Sequence, residues 1–187
     1  MQLIDAVNTI LPALGEHTVT QIDPRHPTVV VILNALQNRL EDALLETWWF
    51  NNYDATFYAD SEGEIALPGS ILTILPTDPK VRTAERNGRA FDLTNRTYKW
   101  PPGYALNVRI TEKLEFNELP ETVARMVMYE GLIHAYSTDI GLEDVLSEWG
   151  RKASQAKGQV EAEHLRNRKF STRKSFRFAR LQRARRL

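Results

Sequence analysis

The sequence predicts an α+β protein: an antiparallel bundle of about four helices, a small antiparallel β domain inserted between helices 2 and 3, and an extended basic C-terminal tail. Three observations lead there. Apolar residues recur at helical spacing in both flanks of the chain, residues 2–47 and 118–160. Between the flanks the pattern changes to short β-prone runs separated by Gly, Pro, Asn and Asp. The third is charge segregation in a chain of zero formal net charge. Ten of the 24 Lys/Arg lie between His164 and Leu187, a stretch without acids, so the first 163 residues hold 14 basic and all 24 acidic groups, a net of −10. The expected boundaries are 1–49 and 117–165 for the bundle, 50–116 for the β domain and 166–187 for the tail.

The first helix places Leu3, Val7, Ile10 and Leu14 on one face. Pro12 removes a backbone donor inside that pattern, so the helix ends or kinks near Leu11, and Gly15 stops it. A linker follows over residues 18–27. Pro27 suits the first turn of the second helix, along which Val29, Leu33, Leu36, Leu40, Ala43 and Thr47 form a packing seam. Its opening VVVIL is apolar all round, which calls for cover from its own domain or from a neighbouring copy. The β runs are TFYA, EIALP, ILTILP, RAFDL, RTYKW and ALNVRI, punctuated by SEGE, LPGS, PTDPK, RNG and WPPG. Leu119-Pro120-Glu121 opens the third helix, with Leu119, Val123, Met126, Tyr129, Ile133 and Tyr136 as its buried stripe. A turn at residues 139–141 leads to the fourth, where Leu142, Leu146, Trp149, Ala153, Ala156 and Val160 make a seam of small residues.

A chain of 187 residues holds one domain, or one with an insertion, and is long enough to bury a sizeable core. Without cysteine it excludes disulfides, thiolate catalysis and zinc ribbons, which fits a reducing cytoplasm. No apolar run approaches the roughly 18 residues of a membrane span, and MQLIDAVNTIL has no basic residue ahead of its apolar part, so it does not read as a signal peptide.

Catalytic signals are weak. His17, His26, His134 and His164 lack ligand spacing, and His134 reads as structural, so neither a metal nor another cofactor is expected. Asp60, Glu62 and Glu64 would share one face of a strand, the arrangement a glycan hydrolase needs, but ADSEGE reads better as a hairpin tip with solvated acids. Glu112, Glu115, Glu118 and Glu121 read as a solvated rim. There is no GxxxxGK[ST], no GxGxxG and no nucleophile elbow, and GRKASQAKG lies within a helix. KSFRFARL lacks the glycine of an RNA-recognition octamer. Trp48, Trp49, Phe50, Tyr53, Phe57 and Tyr58 form an aromatic patch where helix meets sheet, read as core or interface filling with one tryptophan anchoring the sheet on the bundle.

The tail differs from a solvated end. Phe170, Phe176, Phe178, Leu181 and Leu187 are interleaved with its cations, and purely solvated tails are poor in aromatics. Eight of its ten cations are Arg, which makes forked contacts with carboxylate or phosphate. It is therefore expected to order against an acidic surface with apolar pockets, on the same molecule or another, or against a nucleic-acid backbone. The second option leaves a nucleic-acid-binding protein as the alternative function.

The segments AVNTILPALGE, ETWWFN, NGRAFDLTNRTYKW and VRITEKLEFNELPETVARMVMYEGLIHAYSTDIG, in this order, resemble the tail tubular protein A family, the head-to-tail adaptors of short-tailed bacteriophages. The resemblance covers roughly residues 5–165; Pro12 and the long arginine-rich end depart from it. It implies a non-enzymatic virion component at the head-tail junction, assembled in the host cytoplasm as a dodecameric ring. It further implies the portal on one side, a tail nozzle resembling tail tubular protein B on the other, and double-stranded DNA passing through without sequence-specific binding. In related adaptors the C-terminal segment climbs onto the portal. Here that role falls to Arg173, Lys174, Arg177, Arg180, Arg183, Arg185 and Arg186, with Phe176 and Phe178 as apolar anchors.

Overall fold

Pro12 and Gly15 shape the start of the chain as expected. In a computed structural model, which describes residues 1–141 and 144–168, helix α1 (Leu3–Ile10) tightens into a 3-10 turn over Leu11–Leu14. Gly15 closes that turn with φ 79°, a left-handed conformation costly for residues with a side chain. Helix α2 (Pro27–Leu45) begins with Pro27 at its first turn, and His26 Nδ1 accepts from the Val29 N–H at 3.4 Å, so His26 caps a helix.

Helices α3 (Glu121–Asp139) and α4 (Val145–Asn167) complete the helical part. Helix α3 is central, packed by α2 on one side and α4 on the other. Its buried face is therefore wider than one stripe: Ala124, Val127, Met128, Leu132 and Ala135 join Val123 and Met126. Gly131 lies where α2 crosses, and a Cβ added there would meet Leu36 Cδ2 at 2.7 Å. Along α4, Ala153, Ala156 and Val160 are buried as expected, small enough for a close approach. Leu142 of the expected seam lies outside the described residues. The α2 seam needs a correction. Thr47 falls beyond the helix and is exposed, Leu33 is only half-buried, and Ile32, Ala35 and Leu44 are core.

The five strands of the described residues lie in sequence between α2 and α3. Strands β1 (Asn52–Tyr58), β2 (Ile71–Pro76) and β5 (Ala105–Glu112) form an antiparallel sheet of order β1-β5-β2. Strands β3 (Thr83–Arg86) and β4 (Arg89–Asp92) form a two-stranded hairpin. Four of the six expected runs thus become strands. EIALP and RTYKW do not: each contributes one isolated bridge, Ala66 to Arg89 and Thr97 to Asp92. The unexpected strand is TAER, too polar to announce itself. It forms because Asn87 (φ 53°) and Gly88 (φ 69°) make the two-residue turn that joins twisted strands.

Apolar burial falls into two clusters. One gathers the helices around Val7, Ile10, Ile32, Leu36, Val127 and Val160. The other gathers the strands around Ile65, Ile74, Trp100, Leu106, Val108 and Ile110. Strand β5 alternates, with Leu106, Val108 and Ile110 inward and Ala105, Asn107 and Arg109 outward.

Candidate interaction surfaces

The segment WWFN builds the joint between helices and sheet. After α2 ends, Trp48 folds back so that its indole Nε1–H donates to the Ala43 carbonyl at 2.9 Å. Asn51, wholly buried, accepts from the Trp48 N–H at 3.1 Å and donates to the Leu44 carbonyl at 2.8 Å. Its own carbonyl takes the Glu112 N–H at 2.8 Å, tying α2 to the end of β5. Of the two tryptophans, one of which was expected to anchor the sheet, Trp48 is the buried one, while Trp49 is half-buried and meets Phe50 edge-on. Asn51 carried no such expectation; its only signal is a polar residue directly after a dense aromatic run.

The last turn of α4 is rooted at the same joint. His164 stands edge-on to Trp48 at 5.4 Å and tilted against Trp49 at 6.1 Å. Burial, with Arg168 nearby as a lesser cause, holds its imidazole below the usual range and so favours the neutral form. The basic tail leaves from here. Arg173, Lys174, Phe176, Arg177, Phe178, Arg180, Arg183, Arg185 and Arg186 lie outside the described residues.

Beside this root, Asn167 and Arg168 share a surface cavity of about 480 Å³ with Trp49, Asn52, Tyr53 and Asp54. Asp54 accepts two bonds from the Arg109 guanidinium, at 2.9 and 3.2 Å, a fork that holds its carboxyl below the usual range. Thr56 and Asn107 pair next to it at 2.7 Å, so this part of the outer sheet face is polar and cross-linked, while Tyr58 and Leu75 stand exposed on the same face. Strand β1 pairs with β5 in unbroken register from Asn52 to Tyr58, and among the described residues no strand pairs with its other edge.

A second surface is a mixed groove of about 410 Å³ between α1, α2 and the segment before α3, where Leu3, Leu33, Leu36, Leu40, Leu114 and Phe116 are joined by Asn34, Gln37, Lys113, Glu115 and Asn117. Here the apolar opening of α2 resolves. Val29 and Ile32 are buried within the subunit, whereas Val30, Val31 and Leu33 are half-exposed. A third, of about 260 Å³, is lined by Arg39, Glu130, Ile133, His134 and Ser137. Desolvation pushes the Glu130 carboxyl above the usual range, although Lys157 and Arg39 act against it.

The acids considered for catalysis take structural places. Asp60 Oδ1 accepts from the N–H groups of Glu62 and Glu64 at 2.9 and 2.8 Å, shaping a turn rather than a strand. Glu64 is paired with Arg89 at 2.6 Å and Lys99 at 3.2 Å. Glu112 is not part of a merely solvated rim: it accepts from the Tyr53 and Ser70 hydroxyls at 2.8 and 3.2 Å. Glu118 caps its short turn by accepting from the Glu115 N–H at 2.9 Å, and Glu121 pairs with Arg125. Among the described residues no group of three or more His, Asp or Glu is placed to hold a metal ion, and no helix is long and apolar enough to cross a membrane.

The family profile described as Tube, tail tubular protein, matches residues 4–170. The chain is similar to "Tail tubular protein A" of Klebsiella phage KP34, with 31% identity over 188 residues, covering 99% of this chain and 98% of that protein. With a match spanning both the helices and the strands, the chain belongs to the tail tubular protein family, structural components of the phage tail rather than enzymes.

Proposed function

We propose that this chain is a head-to-tail connector, copies of which close a ring between the portal and the tail nozzle and continue the DNA channel. The observation that carries the reading is charge segregation on a chain matched end to end by a tail tubular protein: an acidic body of net −10 and an arginine-rich end. Heterologous contacts between identical copies close rings, twelve-fold in this proposal. The helical part, 1–49 and 117–165, forms the ring body, and residues 50–116 act as an inserted domain, supported by the separate apolar cluster of the strands. Residues 166–187 attach to the portal through Arg173, Lys174, Arg177, Arg180, Arg183, Arg185 and Arg186, with Phe176 and Phe178 filling apolar pockets. Assembly takes place in the host cytoplasm, and double-stranded DNA crosses the finished ring without sequence-specific contacts.

Deleting residues 169–187 tests this. The folded helices and strands remain, attachment to purified portal is lost, and for the full chain attachment weakens as salt rises because forked arginine contacts are screened. If the full chain instead bound duplex DNA tightly and ignored the portal, the tail would be a nucleic-acid arm. Log affinity would then fall by about 0.9 per phosphate contact against log salt.

A further inference from the structure

We propose that the open edge of β1 joins two copies of this chain, each β1 pairing with the other as antiparallel strands about a two-fold axis at Ala55. An unpaired edge is a template for another strand, and proteins usually blunt such edges with lysine, proline, bulges or cover. Strand β2, at the other edge of the sheet, has such protection: it ends in Pro76, its register breaks between Ile71 and Thr73, and β3 packs beside it. Strand β1 has none among the described residues. Its sequence NYDATFY contains no lysine or proline, and its register with β5 is continuous. Its inward side chains are also incompletely covered. Ala55 and Phe57 are only half-buried against the strand cluster, and Tyr53, on the same face, is 46% exposed.

The occupant follows from the backbone register and the order of side chains along β1. On the β5 side, the Asn51 carbonyl accepts from the Glu112 N–H at 2.8 Å and the Ala59 N–H donates to the Tyr104 carbonyl at 2.9 Å. Odd-numbered residues therefore bond to β5, and Asn52, Asp54, Thr56 and Tyr58 turn their N–H and C=O groups to the open side. A second antiparallel β1 must match even with even. Centred on Ala55, the pairing sets Asn52 opposite Tyr58 of the second copy and Asp54 opposite its Thr56, so every outward-turned residue finds a partner. Ala55 then meets its own counterpart in a close pair without hydrogen bonds. The side chains fit the same register. On the inward face Tyr53 lies opposite Phe57 of the second copy, and the reverse, so each half-covered aromatic gains an aromatic neighbour. On the outer face the one charged residue of β1, Asp54, meets a threonine. The adjacent even-to-even registers are worse. Centring on Asp54 sets two carboxylates opposite each other, and centring on Thr56 sets Tyr53 and Phe57 against alanines. Such a contact is isologous and saturates at two copies, so it differs from the heterologous contacts of the proposed ring. It concerns the free chain and does not rest on the connector reading.

The chain has no cysteine, so an engineered one reports without background. In the full chain, Ala55→Cys in a glutathione buffer should form a disulfide-linked dimer, because the Cα atoms of a close antiparallel pair lie about 4.5 Å apart, within disulfide reach. With Thr56→Cys the two thiols stand two residues out of step, so bridging should be at least about tenfold slower. No covalent dimer, or equal rates at the two positions, would overturn the proposal. Sedimentation equilibrium reads the association without a bridge. Ala55→Lys sets like charges opposite each other and Ala55→Glu does the same, so each should weaken the dimer at least about tenfold, and an equimolar mixture of the two should restore it. A full chain that stays single at about 1 mM, variants that associate like the parent, or a mixture no better than its components would each refute the pairing. Growth beyond two copies would do so as well, by assigning the edge to a head-to-tail contact. Neither assay contains the portal, so this pairing and the connector reading can fail separately.

Discussion

Asn51→Leu isolates the joint between helices and sheet. Leucine keeps the branched, four-heavy-atom shape of this wholly buried side chain and is somewhat larger, so no cavity opens and the change acts chiefly on hydrogen bonds. The Leu44 carbonyl loses its 2.8 Å donor at a wholly buried position. The Trp48 N–H loses the 3.1 Å side-chain acceptor but keeps the Glu46 carbonyl at 2.9 Å, so it contributes less. One stranded buried carbonyl costs about 1–3 kcal/mol, and with the weakened Trp48 bond the loss centres on about 2–3 kcal/mol. For a chain of this size each kcal/mol lowers Tm by about 2–4 °C, so thermal unfolding followed by circular dichroism should shift down by about 4–12 °C. Urea unfolding should show a lower midpoint with an unchanged slope, marking a stability change rather than a change of unfolded state. A shift below about 0.5 kcal/mol would refute the reasoning, because it would mean that these backbone groups find other partners.

Three further outcomes rest on single positions. Gly131→Val places a branched Cβ within 2.7 Å of Leu36 Cδ2 and 3.5 Å of the Leu36 Cα, forcing α2 and α3 apart; a loss of about 2 kcal/mol or more is expected in chemical denaturation. Gly158→Ala, where nothing lies within 4 Å of the added Cβ, should gain about 1 kcal/mol in the same experiment from helix propensity alone. Glu130 has a folded pKa raised by desolvation. Stability tied to its protonation is fully present below the unfolded carboxylate range and lost as pH rises through the folded value. Glu130→Gln should therefore leave Tm unchanged at acid pH and raise it at neutral pH; an equal shift at both would show that charge burial is not the cause.

Elements with a strong local period were legible in the sequence. The four helices follow from 3.6-residue spacing, and the ends of the first from Pro12 and Gly15, since a missing donor and a left-handed backbone act on neighbouring residues only. The hairpin of TAER and RAFD was half legible: its Asn87-Gly88 turn stood out, but Thr83 and Glu85 hid the first strand. EIALP and RTYKW misled because β-prone composition cannot say whether a partner strand will be present, and here each finds one bridge. For the surfaces, the charge-rich tail and the anchoring role of one of the two adjacent tryptophans could be read directly, whereas the choice of Trp48, Asn51, Gly131 and the open edge of β1 could not.

By itself, then, the chain's order determined its helices, its turn residues and the division between an acidic body and a basic end, all properties of residues close in sequence. Only the tertiary structure decided that α3 is buried on two sides, that Gly131 must lack a side chain, and that the end of α4 meets the start of β1. Those depend on pairs far apart along the chain, whose approach is set by packing and backbone pairing rather than by any local pattern.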